Sequence, residues 1–240
     1  MKIVTWNVNS IRVRLHLLDD LIRKHNPDIV LLQEIKCTNN DFPYDFVDGH
    51  NYNVKVYGQK AYNGVAILSK YEIEAMFQYT DEVNEARYIE GFSNGIYVAS
   101  VYVPCGNKSI EAYQYKNTFL NMIAKRWDDR DAKCVLGGDF NVALTDADIN
   151  TPHKWKNSVL CSDEVRKNMY HILKSNFVDL NQKQSGKNDF TWWDYRSPRE
   201  GLRIDYLLGR NVTGDTITLG EYRKMEKPSD HVPVLVNLNL

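Results

Sequence analysis

The chain alternates short apolar runs with polar stretches, and several runs end on a residue that carries chemistry. Lys2–Asn7 is rich in β-formers. Asp28–Gln33 contains Ile-Val-Leu-Leu, an unbroken apolar run of the kind shown by strands covered on both faces. Gly64–Ser69 and Ile96–Val103 have the same character, and Lys133–Leu136 is a shorter version. Arg203–Leu208 and Val232–Leu240 complete the predicted strands. In the last, Val234, Val236, Leu238 and Leu240 alternate with Leu235, Asn237 and Asn239. Helical spacing appears in three places. Leu17, Leu18, Leu21 and Ile22 form a stripe that His25-Asn26-Pro27 stops. Tyr115, Phe119, Ile123 and Trp127 recur every fourth residue with Leu120 beside them, Ser109 suits the N-cap, and Arg126 and Arg130 suit the C-terminal end. Val165, Met169, Ile172 and Leu173 make the third stripe. Strands outnumber helices, and their order is not a strict βαβα alternation. The pattern predicts an α/β fold with a packed double sheet and helices outside it, rather than a doubly wound sheet. With no internal repeat and no linker rich in Pro, Gly or Ser, residues 1–240 read as one domain.

Composition narrows the class without choosing a function. At 43% hydrophobic and 25% charged, the chain is neither disordered nor fibrous. No apolar run reaches the roughly 18 residues of a membrane span, and the first apolar stretch is too short for an export signal. Thirty Lys and Arg face 31 Asp and Glu, so any nucleic-acid surface has to be a local basic face. Four cysteines, at 37, 105, 134 and 161, lack metal spacing and read as reduced thiols of a cytosol-like compartment.

The chemistry gathers at strand ends. The first strand ends at Asn7 and the second at Gln33-Glu34. Leu136-Gly137-Gly138 runs into Asp139-Phe140-Asn141. Asp205 lies early in the strand Arg-Ile-Asp-Tyr-Leu-Leu, and Ser229-Asp230-His231 precedes the last strand. Buried carboxylates are costly unless paired or bound to a cation. Four of them at strand ends, with Asn and His among them, imply one convergent site that takes a divalent cation. Oxygen donors point to Mg²⁺ or Mn²⁺ rather than zinc. Each element alone is weak: Gly-Gly-Asp also suits a plain turn.

Taken together, the motifs resemble the endonuclease/exonuclease/phosphatase superfamily, and within it the exonuclease III type of abasic-site endonucleases. The matching stretches are Thr5–Arg12 (Thr-Trp-Asn-Val-Asn-Ser-Ile-Arg), Leu32–Lys36, Asn63–Leu68, Tyr102-Val103-Pro104, Gly137–Ala143, Gly201–Tyr206 and Ser229–Val234. Gln-Glu and Ser-Asp-His mark the superfamily. Trp-Asn-Val-Asn-Ser-Ile-Arg, Gln-Glu-Ile-Lys and Gly-Leu-Arg-Ile-Asp-Tyr favour its DNA-repair branch.

The resemblance implies a four-layer α/β sandwich: two mixed β-sheets packed face to face, helices outside, catalytic loops along one edge. It implies Mg²⁺-dependent hydrolysis of the phosphodiester 5′ to an abasic site in duplex DNA, leaving a 3′-hydroxyl, with 3′–5′ exonuclease and 3′-phosphodiesterase activity beside it. Glu34 is then the main metal ligand, with Asn7 and Asp230 at the same site. Asp139 is the general base and Asn141 positions water or stabilises transition-state oxygens. His231 contacts a non-bridging phosphate oxygen with Asp205 as its partner, and Tyr102 serves as phosphate contact or acid. Trp192, Leu202 and Ile204 wall the pocket for a bare sugar, and Arg87 and Lys108 contact the DNA backbone. The expected partner is duplex DNA with abasic sites or blocked 3′ ends, met by a cytoplasmic monomer (nucleoid-associated in a bacterium) with no membrane. Cys105 stands where relatives carry an amide, and Leu202 where some carry Trp. The alternative is a metal-dependent phosphoesterase acting on an inositol phosphate or phospholipid. A catalytically dead nucleic-acid-binding module would have lost site residues, and all eight positions are filled by competent groups.

Overall fold

The computed structural model describes residues 1–128, 131–181, 189–197 and 199–239. Its first strands are Lys2–Asn7 (β1), Ile29–Gln33 (β2), Asn53–Tyr57 (β3), Val65–Ser69 (β4), Glu74–Gln78 (β5), Tyr88–Ser93 (β6) and Ile96–Tyr102 (β7). Cys134–Asp139 (β8), Val178–Asp179 (β9), Trp192–Trp193 (β10), Gly201–Leu202 (β11), Asp205–Arg210 (β12), Thr213–Thr218 (β13) and Val234–Asn239 (β14) follow. The helices are Ile11–His25 (α1), Tyr44–Gly49 (α2), Ile110–Trp127 (α3), Pro152–Trp155 (α4) and Asp163–Lys174 (α5). Arg130 and Leu240, assigned to elements from the sequence, lie outside the described residues.

Among the described residues two six-stranded sheets form, ordered β13-β14-β1-β2-β4-β3 and β5-β6-β7-β8-β12-β9, beside the short pair β10-β11. Both large sheets are mixed. β1 runs parallel to β2 and β7 parallel to β8, while the other pairings are antiparallel. Side-chain alternation explains the unbroken apolar runs. Ile3, Ile29, Leu31, Val65, Ile67, Val234 and Val236 of the first sheet meet Ile89, Ile96, Val98, Val135 and Leu207 of the second in one core. The opposite faces are covered too. Val4, Trp6, Val30 and Leu32 pack with Leu17, Leu18 and Leu21 of α1. Val101, Leu136 and Leu208 pack with Phe119, Ile123 and Trp127 of α3 and Met169 of α5. The result is the expected four-layer sandwich. Among the described residues, no helix is long and apolar enough to cross a membrane.

The helix boundaries follow the expected chemistry. Asn26 adopts a left-handed conformation (φ 47°) and its N–H donates to Ile22 O, closing α1. The Ser109 hydroxyl accepts from Ala112 N at the start of α3. Several strand boundaries differ by one to three residues, and two of the differences have a clear cause. The strand drawn over Lys133–Leu136 runs on to Asp139, because Gly137 and Gly138 are buried strand residues and not a turn. At Gly138 a Cβ would lie 1.9 Å from Val101 O of the neighbouring strand, so only glycine fits. The strand drawn over Arg203–Leu208 begins at Asp205 instead. Arg203 is drawn out of the strand by two buried carboxylates, bonding Asp148 and Asp179 at 2.6 Å each.

Near the site the two sheets are tied by polar groups. Gln33 Nε2 donates to Ser100 Oγ (2.9 Å) and Thr5 Oγ1 (3.1 Å), and Ser100 Oγ donates to Leu32 O (2.7 Å). All three side chains are fully buried. Such satisfied networks fix how layers sit on each other, and here the residue after Gln33 is Glu34.

Candidate active site

Glu34, Asp139 and Asp205 sit at strand ends that come together because β1, β2, β7 and β8 run parallel within their pairs. The loops after β2 and β8 then bend sharply. Glu34 (φ 50°), Lys36 (φ 53°) and Asn141 (φ 51°) all take left-handed backbone, as does Asn9 (φ 44°). Non-glycine residues in this region carry strain of about 1–3 kcal/mol each and collect where function over-determines the backbone.

One donor atom each from Glu34, Asp139 and His231 lies within 4.8 Å of the others. Asn7 bridges the two acids: its Nδ2 donates to Glu34 Oε1 (2.8 Å) and Asp139 Oδ2 (3.0 Å). Asp139 Oδ1 accepts from Asn141 N (2.9 Å), and Asn141 Nδ2 donates to Val103 O (2.9 Å). His231 Nδ1 meets Asp205 Oδ2 at 2.8 Å, and its Nε2 lies 3.7 Å from Asp139 Oδ2. The Asp205 backbone is held in turn by Thr191, whose hydroxyl accepts from Ile204 N and Asp205 N.

Electrostatics divide these groups into roles. Burial alone would strip the His231 proton, but the Asp205 and Asp139 carboxylates outweigh it and push the imidazole well up, to about 10. Burial pushes Asp139 up; His231 opposes this, while Asp205 and Glu34 add to it. Burial would raise Glu34 as well, but the Lys36 ammonium at 2.8 Å and the Asn7 amide hold it below the ordinary range. These neighbours favour the carboxylate form of Glu34 and the imidazolium form of His231. His231 Nδ1 is engaged by Asp205, and the donors beside Glu34 are chiefly carboxylate oxygens. Glu34, Asp139, Asp205 and Asp230 bring four carboxylates together, with Lys36 beside Glu34 and His231 beside Asp139 and Asp205, and the donors are hard oxygens. That set fits a divalent metal ion. Burial also drives Tyr102 well up, helped by Glu34 and Asp139, so its hydroxyl stays a donor.

Glu34, Tyr102, Asp139, Asn141, Asp230 and His231 line a cavity of about 320 Å³. Trp155, Trp192, Val159, Leu160 and Ile204 supply its apolar lining. Trp155 and Trp192 meet edge to face at 5.7 Å. Trp192 Nε1 donates to Asp230 Oδ2 (3.1 Å), which ties the apolar lining to the polar one.

The sequence-derived residues fall into three groups. Glu34, Asp139, Asn141, His231, Asp205, Tyr102, Trp192 and Ile204 converge as expected. Asn7 and Asp230 lie beside the cluster, each hydrogen-bonded to neighbouring groups. Asn7 turns its amide nitrogen towards the acids, and its Oδ1 accepts from Asn9 N. Asp230 accepts from Asn9 Nδ2 (2.9 Å) at one oxygen and from Trp192 Nε1 at the other. Three residues stand off the cavity. Leu202 is buried beneath the wall with Ile149 and Leu160. Arg87 lies behind Tyr102, 4.6 Å over its ring and paired with Glu85. Lys108 is exposed on the loop after Pro104. Asn9, Lys36 and Trp155 went unassigned in the sequence. The first two lie inside the quoted motifs, whereas nothing local distinguishes Trp155 on its four-residue helix.

The comparisons agree with this geometry. Residues 4–231 match the model of the Endonuclease/Exonuclease/phosphatase family. The chain is 32% identical to the exodeoxyribonuclease III of Haemophilus influenzae over 264 aligned positions, covering 98% of both. Among solved structures, it resembles an AP endonuclease from Archaeoglobus fulgidus with a TM-score of 0.91 at 34% identity, over the whole of both chains. A 3′ phosphatase from Neisseria bound to a product DNA hairpin superposes with a TM-score of 0.94 at 32% identity, again over both whole chains. With its motifs, its sandwich and its acid-lined cavity in agreement, the chain belongs to the endonuclease/exonuclease/phosphatase family, and within it to the exonuclease III type.

Proposed function

We propose that the protein is a Mg²⁺-dependent DNA-repair nuclease that acts as a monomer on duplex DNA. It hydrolyses the phosphodiester 5′ to an abasic site to leave a 3′-hydroxyl, and clears blocked 3′ ends at the same site; Mn²⁺ would substitute. The observation that carries this reading is the cavity itself, which joins Glu34, Asp139 and the Asp205-paired His231 to an apolar wall. Phosphate chemistry needs the polar lining, and a sugar without a base fits the apolar wall. Its relatives named for exonuclease and AP endonuclease activity support the same choice.

Glu34 is the carboxylate that would hold the cation, kept ionised by Lys36 and oriented by Asn7. When bound, the cation polarises the phosphate and stabilises charge on the departing 3′-oxygen. His231 donates from Nε2 to a non-bridging phosphate oxygen, its ring fixed by Asp205 at Nδ1. Asp139 accepts the proton of the attacking water, its carboxylate aimed by Asn7 and by the Asn141 N–H. Tyr102 offers its hydroxyl to the phosphate. Trp192 and Trp155 flank the extruded sugar, which leaves the helix most cheaply where no base is stacked.

The test is incision of a duplex carrying one stable abasic analogue, with Mg²⁺ and with EDTA, beside an undamaged duplex with a recessed 3′ end. Metal-dependent cutting at the analogue is expected. Turnover of an inositol phosphate or phospholipid, with neither duplex cut, would replace this reading by the phosphoesterase alternative.

A further inference from the structure

Lys116 lies in the middle of α3 with no exposed surface. A buried ammonium is costly unless it is paired, yet the partners it has are two backbone carbonyls. Its Nζ donates to Asn141 O (2.5 Å) and Cys105 O (3.2 Å). Those carbonyls belong to the two loops that flank the catalytic acids, one following Tyr102 and the other following Asp139. We propose that Lys116 is a positioning residue for the hydrolysis, clamping both loops from beneath so that Tyr102, Asp139 and Asn141 hold their places around the phosphate. The inference rests on the nuclease reading above.

Two further features fit a clamp. Asn141 is left-handed (φ 51°), and this reversal sends its carbonyl down to Lys116 while its N–H goes to Asp139 Oδ1. Holding the carbonyl therefore fixes the N–H that orients the base. Gly106, at φ 80°, lies directly on the lysine stem: a Cβ there would come within 2.9 Å of Lys116 Cδ and 3.2 Å of its Cβ. The loop after Tyr102 is thus seated on the side chain that bonds its carbonyl. Burial draws the Lys116 ammonium down to about 8, offset in part by Cys105 and Asp139, which leaves it charged at neutral pH. Space-filling alone would be met by methionine without a buried charge.

The experiment compares wild type, Lys116→Met, Lys116→Arg and Gly106→Ala. The readouts are single-turnover incision of the abasic duplex, DNA affinity in EDTA, melting temperature, and amide hydrogen exchange at Cys105, Gly106 and Asn141. Lys116→Met should cut the chemical rate by about 30-fold, with DNA affinity within about twofold, as sub-ångström misplacement does. Exchange at the three loop amides should rise by about tenfold while β8 stays protected. Lys116→Arg should recover part of the rate, and Gly106→Ala should reproduce the exchange change. An unchanged rate and unchanged exchange in a folded Lys116→Met protein would overturn the clamp, as would equal losses in rate, affinity and β8 protection. If Lys116→Met does not fold, Lys116→Gln, read by the same rate, affinity and exchange, decides in the same way. A wild type inert on DNA would refute the nuclease reading, while loop exchange would still judge the clamp.

Discussion

His231 keeps its proton because its ring faces Asp205 at 2.8 Å and Asp139 at 3.7 Å. Its pKa is raised on folding, so the attraction stabilises the protein fully below the ordinary value near 6.5 and is lost as pH climbs through about 10. The activity should have an alkaline limb in that upper range. Asp205→Asn removes the first of the attractions, so its limb should move to lower pH in a pH–rate profile, with Asp139 still in place. Asp139→Asn should lower turnover by about 10²–10⁴-fold while DNA binding is retained; near-normal turnover would remove Asp139 from the role of base. At this scale the sequence showed which residue types gather, and the resemblance their order. It did not show orientation. That Asn7 offers nitrogen to the acids, and that Asp230 accepts from Asn9 and Trp192, depends on side-chain rotation that no spacing records.

Among the elements, β12 and the residues before it show how local sequence and tertiary contact divide the work. Apolar spacing placed β2, β4 and β7 well, because each is covered on both faces. It missed β3, β5, β6 and β13, whose polar or mixed residues leave no clear period: Thr213–Thr218 is an edge strand with three exposed positions. It also carried the strand before β12 back to Arg203, a residue that instead serves two acids. Arg203 is 12% exposed, with Asp148 and Asp179 at 7% and 3%. Arg203→Met leaves both acids buried without their cation and should cost about 3–5 kcal/mol in denaturant unfolding. A loss under about 1 kcal/mol would mean that water reaches the pair.

For the whole molecule, the balance of 30 cations against 31 anions leaves little long-range attraction for DNA. Binding then rests on local phosphate contacts, and duplex affinity should fall at least about tenfold between 50 and 200 mM salt. A cation that binds only the folded state raises stability by about 2.7 kcal/mol at a concentration of 100 Kd. Mg²⁺ should therefore raise the melting temperature of the wild type. Glu34→Ala should lose that response together with its metal-dependent activity, and a retained shift would place the ion elsewhere. The layers themselves were legible because both faces of each central strand are apolar, but which loops meet depends on pairings across most of the chain. The longest of these has a consequence for how the protein is made. β1 has β14 as one of its two neighbours, with Lys2 opposite Asn237. Asn9 reaches Asp230, and Ser229 closes on the Asn7 carbonyl. On the ribosome the opening strand waits with a bare edge while more than two hundred residues are added. A nascent chain therefore carries the catalytic acids without their imidazolium, so the nuclease is assembled only after the segment from His231 through β14 has been released from the exit tunnel.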